Sequence, residues 1–217
     1  MKVYICRHGQ TVLNKQKRWQ GGSVNSALTE QGKAQAKAIA EYLKAKQIDA
    51  IFVSPLGRAK ETVAYLTPFF PKAVYSVENA LKELDKGEVD GTTFDERREK
   101  YPEEFDRIPY IDLDKRFPGG ESHRDVIKRL TPFVERLKKQ YSGKTVAIFG
   151  HDAVNRMLLG ILLSLPDEEL VQVVAVSDTI YEIVLHENKA ECFHIKDGER
   201  KKGIIMKNQP RAKSPSS

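Results

Sequence analysis

Short apolar runs alternate with stretches of helical spacing along most of this chain. The runs VYIC (3–6), AIFVS (50–54), AVYSV (73–77) and TVAIFG (145–150) are rich in β-branched residues and bounded by polar or turn residues, which predicts short buried strands. Between the first two lies TEQGKAQAKAIAEYLKAK, whose many alanines predict a helix that Thr29 can cap. Over 122–140, Val126, Leu130, Phe133, Val134 and Leu137 fall at helical intervals, while Pro132 should kink that helix or begin a new one. A further helix follows TVAIFG, with Val154, Met157, Leu158, Ile161 and Leu162 on one face. Near the end, VAVSDTIYEIVL and ECFHI read as strands. Strands alternating with helices predict an α/β fold, a three-layer α/β/α sandwich around a mostly parallel central sheet.

Two regions break this rhythm. Residues 85–121 hold Gly87, Gly91, Pro102, Pro109, Pro118, Gly119 and Gly120 around a short charged helix near 93–101, so they read as an inserted, largely irregular lid or specificity segment. After ECFHI the chain GERKKGIIMKNQPRAKSPSS loses its pattern and gains charge, and disorder is expected from about Lys201. The resulting organisation is one domain over 1–200 and a basic tail over 201–217, with no internal repeat.

A chain of 217 residues is long enough to bury a sizeable core. Its net charge of +6 favours anionic partners, but no arginine stripe with interleaved aromatics points to nucleic acid, so a small anionic ligand is the economical reading. Cys6 and Cys192 stand far apart, with no ligand spacing around either, which argues against structural zinc and for a reducing compartment. No leader pattern opens the chain, and no apolar run approaches the roughly 20 residues of a membrane span. A cytoplasmic protein without a membrane partner is the expectation; an oligomer is compatible with it.

The candidate chemistry gathers where strands end. CRHGQT (6–11) closes the first run with Arg7 and His8, and Gly9 permits close backbone approach; Asn14 and Arg18 follow in a polar loop. SPLGRAKET (54–62) sets Arg58 at a helix start after the second run, and GHD (150–152) sets His151 at another. Taken singly, each is an ordinary residue: histidines are mostly structural, and Arg58 fits a solvated helix. Charged or titratable residues at three strand ends, each followed by a helix start, are what random surface placement does not produce. A histidine acting on a phosphate needs groups to hold its oxygens, a stabiliser for the transferred phosphoryl and an acid for the leaving oxygen.

The ordered set RHGQTVLN, RWQGG, LTEQG, SPLGRAKET and GHDAVNR resembles the histidine phosphatase superfamily, also called phosphoglycerate mutase-like, over about residues 2–195. The resemblance implies that His8 is a nucleophile that becomes phosphohistidine. Arg7, Arg58 and His151 would clamp the phosphoryl oxygens, Asn14 would add a donor, and Gln20 and Gly21 would line the pocket. The peptide ALKELDKGEVDG (80–91) is similar to the region that holds the family's proton donor, which makes Glu83 the acid. Arginine forks match phosphate geometry, so no metal and no other cofactor is called for.

The mutase segment ERxYGxLxGLNK is missing; KELDKGEVDGTTFDER stands there instead, which favours hydrolysis over transfer. The stretch LKELDKGEVDGTTFDERREKYPEEF, with DLDKRFPGGES and HDAVNR, is similar to the bisphosphatase branch that acts on fructose 2,6-bisphosphate. That similarity implies a second-phosphate site at Tyr101, Arg116 and Arg156, with Lys115 beside them. Asp152 stands where that branch has glutamine. The expected ligand is a small phosphorylated metabolite, with fructose 2,6-bisphosphate one candidate. A phosphoglycerate mutase and a noncatalytic phospho-ligand-binding domain are the alternatives. Ser122 fits a helix cap beside Glu121; His123, His186 and His194 read as structural or solvated, and Cys6 as a buried residue behind the site.

Overall fold

The structure, a computed structural model, describes residues 1–101, 112–187 and 189–207. Part of the expected insert (102–111) and of the expected tail (208–217) therefore lies outside the described residues. The chain runs β1 (Lys2–Arg7), α1 (Val12–Lys15), α2 (Glu30–Lys44), β2 (Ala50–Val53), α3 (Gly57–Val63), β3 (Val74–Val77) and α4 (Phe94–Lys100). It continues through α5 (His123–Gln140), β4 (Thr145–Gly150), α6 (Asp152–Leu163), α7 (Asp167–Leu170), β5 (Thr179–Leu185), β6 (Ala190–Lys196) and β7 (Glu199–Lys202).

The strands form one sheet in the order β3-β2-β4-β1-β5-β6-β7. β3, β2, β4 and β1 pair in parallel, and β5, β6 and β7 add an antiparallel meander beside β1. Strand alternation sorts the core into two layers. Val3 and Ile5 of β1, with Val146 and Ile148 of β4, meet α5 and α6 through Val126, Leu130, Met157 and Leu158. Tyr4 and Cys6, with Ala147 and Phe149, meet α2 and α3 through Ile39, Leu43, Ala59 and Val63. The three-layer sandwich expected from the alternating pattern is the observed architecture.

Local chemistry fixes the element ends as the sequence suggests. Thr29 accepts the Gly32 amide at the start of α2, and Ser122 closes a capping box with Asp125 at the start of α5. Three expectations are corrected. Pro132 starts no new helix: α5 runs unbroken through it for 18 residues. AVYSV is a strand but not a buried one, because β3 lies at the sheet edge and leaves Val74, Tyr75 and Val77 exposed. Pattern does not end at Lys201 either: β7 follows the turn Asp197-Gly198, both at positive φ, and the chain then returns beside 172–174. Asp-Gly is the residue pair a two-residue hairpin of that hand requires. Among the described residues no helix is long and apolar enough to cross a membrane.

Candidate active site

Parallel register brings three strand ends level. Val53 lies opposite Phe149, and Arg7 opposite Gly150. The residues that follow, Ser54, His151 and His8, therefore emerge together at the carboxyl edge of the sheet, beside the first turns of α3 and α6. The rings of His8 and His151 are 5.1 Å apart, centroid to centroid. The loop that holds His8 can pass so close to α2 only because Gly9 and Gly32 lack side chains: a Cβ on Gly9 would stand 2.2 Å from the Gly32 oxygen.

His8 is buried, and its Nδ1 donates to the Gly9 carbonyl at 2.8 Å. A carbonyl can only accept, so the proton is on Nδ1 and the lone pair of the neutral ring is on Nε2. Burial lowers the His8 pKa well below its usual range, and the charges of Arg7 and Arg58 lower it further. His151, also buried, receives Arg58 Nε–H on Nδ1 at 3.2 Å and donates from Nε2 to Ser54 Oγ at 2.7 Å. Its pKa is pushed well down by burial, then by Arg58. Both rings are thus neutral at physiological pH, each in one tautomer.

Arg58 is fully buried and donates to Val24 O at 2.8 Å and Gly21 O at 2.9 Å. Burial brings its pKa down to about 10, so it stays a cation. Arg7 is held by Nη1 on the Ala175 carbonyl at 2.9 Å, while its buried Nε has no hydrogen-bond partner among the described residues. Glu83 is buried, accepts the Leu84 amide at 2.8 Å and lies at the start of α6, 3.4 Å from the amides of Ala153 and Val154. Asp152, in the same first turn, lies 3.9 Å from Arg7.

Further expected residues take supporting places. Asn14 and Thr11 close a capping box on α1 that uses the Asn14 amide oxygen, so the amide NH2 is the end left to meet a ligand. Gln20 is buried between Thr11 and Ser26, at 2.7 and 3.0 Å. Gly21 gives its oxygen to Arg58 and its N–H to Asp90, and a Cβ there would run into Asp90 and the Leu84 carbonyl. Arg18 grips Gly91 O and Glu96. Tyr101 and Arg116 are not joined to this network: the Tyr101 hydroxyl donates to Glu88, and the exposed Arg116 pairs with Asp125 at 2.9 Å.

Lys86 and Lys207, which the sequence did not single out, lie within electrostatic reach of the site residues, with His123 and Arg156 beside them. Lys86 donates to the Gln20 carbonyl at 3.5 Å, and its charge acts on His8, His151 and His123. His123, expected to be structural or solvated, is buried with its pKa down to about 3, first through burial and then through the charges of Arg156 and Lys86. Arg156 is buried and donates to the Val171 carbonyl at 3.3 Å; Lys207 interacts with both Arg156 and Asp152. Asp152 thus stands among cations, 3.9 Å from Arg7 and within electrostatic reach of Lys207. Spacing gives no sign of Lys86 or Lys207, because a turn and a returning terminal segment carry them there.

The family model described as the histidine phosphatase superfamily (branch 1) matches residues 3–198. Among curated proteins, the chain is 34% identical over 170 residues to the fructose-2,6-bisphosphatase of Saccharomyces cerevisiae, covering 77% of this chain and 35% of that one. It is also 34% identical over 173 residues to 6-phosphofructo-2-kinase/fructose-2,6-bisphosphatase 1 of Mus musculus, covering 77% and 34%. The chain spans about a third of the length of these relatives. Among solved structures, a mycobacterial glucosyl-3-phosphoglycerate phosphatase in complex with VO3 superposes with a TM-score of 0.79 at 25% identity, covering 95% of this chain and 99% of that one. The α-ribazole phosphatase of Shigella flexneri shares the fold, with a TM-score of 0.78 at 21% identity over 88% and 93%. With the match running from β1 to the turn before β7 and the motif residues level at one sheet edge, this chain belongs to branch 1 of the histidine phosphatase superfamily.

Proposed function

We propose that the chain is a metal-independent phosphomonoester hydrolase that acts on a small phosphorylated metabolite through a phosphohistidine. The observation that carries the proposal is His8 itself: a buried neutral ring whose Nδ1–H is fixed on Gly9, leaving the Nε2 lone pair as nucleophile beside two arginines. Nε2 attacks phosphorus and the ester oxygen leaves with a proton from Glu83. Water then attacks the phosphohistidine as Glu83 takes the proton back, releasing phosphate. Arg7 and Arg58 neutralise the equatorial oxygens, with His151 fixing the Arg58 plane through Nε. The unpartnered Nε–H of Arg7 supports a bound anion, since leaving a buried donor unmet costs about 1–3 kcal/mol.

The substrate carries a second anionic group in this reading. Arg156, Lys86, His123 and Lys207 would receive it, rather than Tyr101 and Arg116, whose polar ends are taken by Glu88 and Asp125. Fructose 2,6-bisphosphate fits that demand, and relatives that are 34% identical to this chain over the aligned residues are named for it. The test is rapid-quench kinetics with fructose 2,6-bisphosphate labelled in its 2-phosphate, in EDTA. An acid-labile, alkali-stable phosphoenzyme that decays to inorganic phosphate, and is missing in His8→Ala, is the expected result. Turnover by His8→Ala at the wild-type rate would end the proposal.

A further inference from the structure

Glu83 stands on a stretch of backbone that has no regular structure of its own. Residues 82–86 lie between short 3₁₀ turns at Asn79–Leu81 and Gly87–Val89, outside any helix or strand. A carboxyl that must meet a leaving oxygen, and later a water, has to be held closely, because a displacement of about 1 Å can cost on the order of 10²-fold in rate. Groups from other parts of the chain must therefore set the shape of this stretch.

The start of α5 supplies them. Arg129, two turns into that helix, sends Nη1 to Ala80 O and Nη2 to Lys82 O at 2.6 Å, and so holds the peptide that leads into Glu83. Glu121, just before the Ser122 cap, takes the Asp85 N–H on Oε2 at 3.0 Å and gives its own N–H to Asp85 O at 2.8 Å. Gly22 N–H donates to Leu84 O at 3.0 Å, so the peptide that leaves Leu84 is held at both its ends. The peptide between them turns its Leu84 N–H onto the Glu83 carboxylate itself. The two clamps are also joined to each other, Arg129 Nε to Glu121 Oε1 at 3.1 Å and Nη2 to Oε2 at 3.3 Å, the forked geometry that an arginine and a carboxylate favour. Behind them Val126, Leu130 and Phe133 anchor α5 in the core, which makes the helix a firmer mount than the stretch it holds.

We propose that Arg129 and Glu121 are positioning residues for the proton donor: they fix the backbone on both sides of Glu83 and so aim its carboxyl at the leaving oxygen. The inference rests on the reading of Glu83 as the acid. Neither residue acts on the substrate; the Glu83 oxygens meet the Leu84 amide and the first turn of α6.

The test compares kcat/KM of the full chain on phenyl phosphate and on 2,4-dinitrophenyl phosphate. In both, the His8 Nε2–P bond forms as the P–O ester bond breaks. Phenoxide needs the Glu83 proton to leave, whereas dinitrophenolate leaves without one. Glu83→Gln, which tests the reading itself, should lose on the order of 10²–10⁴-fold on phenyl phosphate and little on the dinitrophenyl ester. Arg129→Met keeps the aliphatic stem and removes the fork; it should lose on the order of 10²-fold on phenyl phosphate, again with little change on the other ester. Glu121→Gln must set its NH2 against either Arg129 or the Asp85 N–H, and should move the ratio the same way by a smaller factor. A loss of folded protein lowers both rates alike and leaves the ratio unchanged; should Arg129→Met not fold, Glu121→Gln decides. Equal losses on the two esters in these variants, with Glu83→Gln still selective, overturn the proposal and leave Glu83 as the acid. Equal losses in Glu83→Gln overturn the reading of Glu83, and the proposal with it.

Discussion

His8, His123 and His151 are buried in one neighbourhood with several cations, and the same physics acts on all three. Removing an imidazolium from water disfavours its charge, and Arg7, Arg58, Arg156 and Lys86 add repulsion. In the proposed mechanism this serves His8, because protonation at Nε2 would remove the nucleophile. It also has a cost in stability whose sign is fixed. In the unfolded chain each histidine titrates near 6.5, while the folded His123 stays neutral down to about 3. Below pH 6.5 the unfolded state therefore binds more protons, and stability falls as the pH drops, by about 1.4 kcal/mol per pH unit for each such histidine until its folded pKa is reached. Urea midpoints between pH 7 and pH 5 should fall steeply in the wild type and by about one proton's slope less in His123→Asn. Equal slopes would mean that His123 is hydrated in solution. Sequence could not have ranked these residues together. His8 and His151 stand at strand ends, where spacing points to them, whereas His123 opens a helix behind a Ser122 cap and turns inward only because α5 packs against α6.

At the level of elements, the segment after β3 is fastened rather than free over its described part. Trp19 N–H donates to Thr92 O and Gly91 N–H to Trp19 O, while Arg18 grips both Gly91 and Glu96. The Arg97 guanidinium stacks 3.6 Å from the centre of the Trp19 ring. This clasp holds Lys86 beside Gln20. Tyr101 and Arg116 are spent on Glu88 and Asp125, outside the network around His8. Lys86→Gln should raise KM for fructose 2,6-bisphosphate about tenfold, about 1.4 kcal/mol of binding, while Arg116→Gln should move it less than about twofold. Steady-state kinetics on both variants decide between the two cationic sets, and the reverse order would restore the assignment made from motifs. Gly9→Ala belongs to the same scale. Its Cβ would meet backbone, not a side chain that could swing away, so a loss of at least about 3 kcal/mol in chemical unfolding is expected. Elements with strong periodicity were readable because packing and pattern agree there, as in α2 and β4. β3 was read as buried because its composition suits a core, and composition does not say which strand ends up at an edge. β7 was missed because its side chains are all charged, although Asp197-Gly198 carries the hairpin signal in the turn itself.

At the scale of the whole molecule, the chain's last described residues close a circuit around the site. After β7 the backbone turns at Gly203, Val174 N–H donates to Ile205 O, and Lys207 N–H donates to Gln172 O. Ile204 and Ile205 pack against the same core layer as α5 and α6. The strip they brace, 171–175, offers its carbonyls to two arginines of the site, Val171 O to Arg156 and Ala175 O to Arg7. Residues 203–207, read from composition as part of a loose basic tail, thus brace the strip that holds Arg7 and Arg156. Ending the chain after Gly203 removes two half-buried isoleucines, about 2 kcal/mol, which for a chain of this size lowers Tm by about 4–8 °C. If the strip positions Arg7, the truncated protein should also lose affinity for inorganic phosphate, so that saturating phosphate raises its Tm less than it raises that of the full chain. Differential scanning calorimetry with and without phosphate separates the two effects. A lower Tm with an undiminished phosphate shift would show that the terminal segment stabilises the fold without shaping the site.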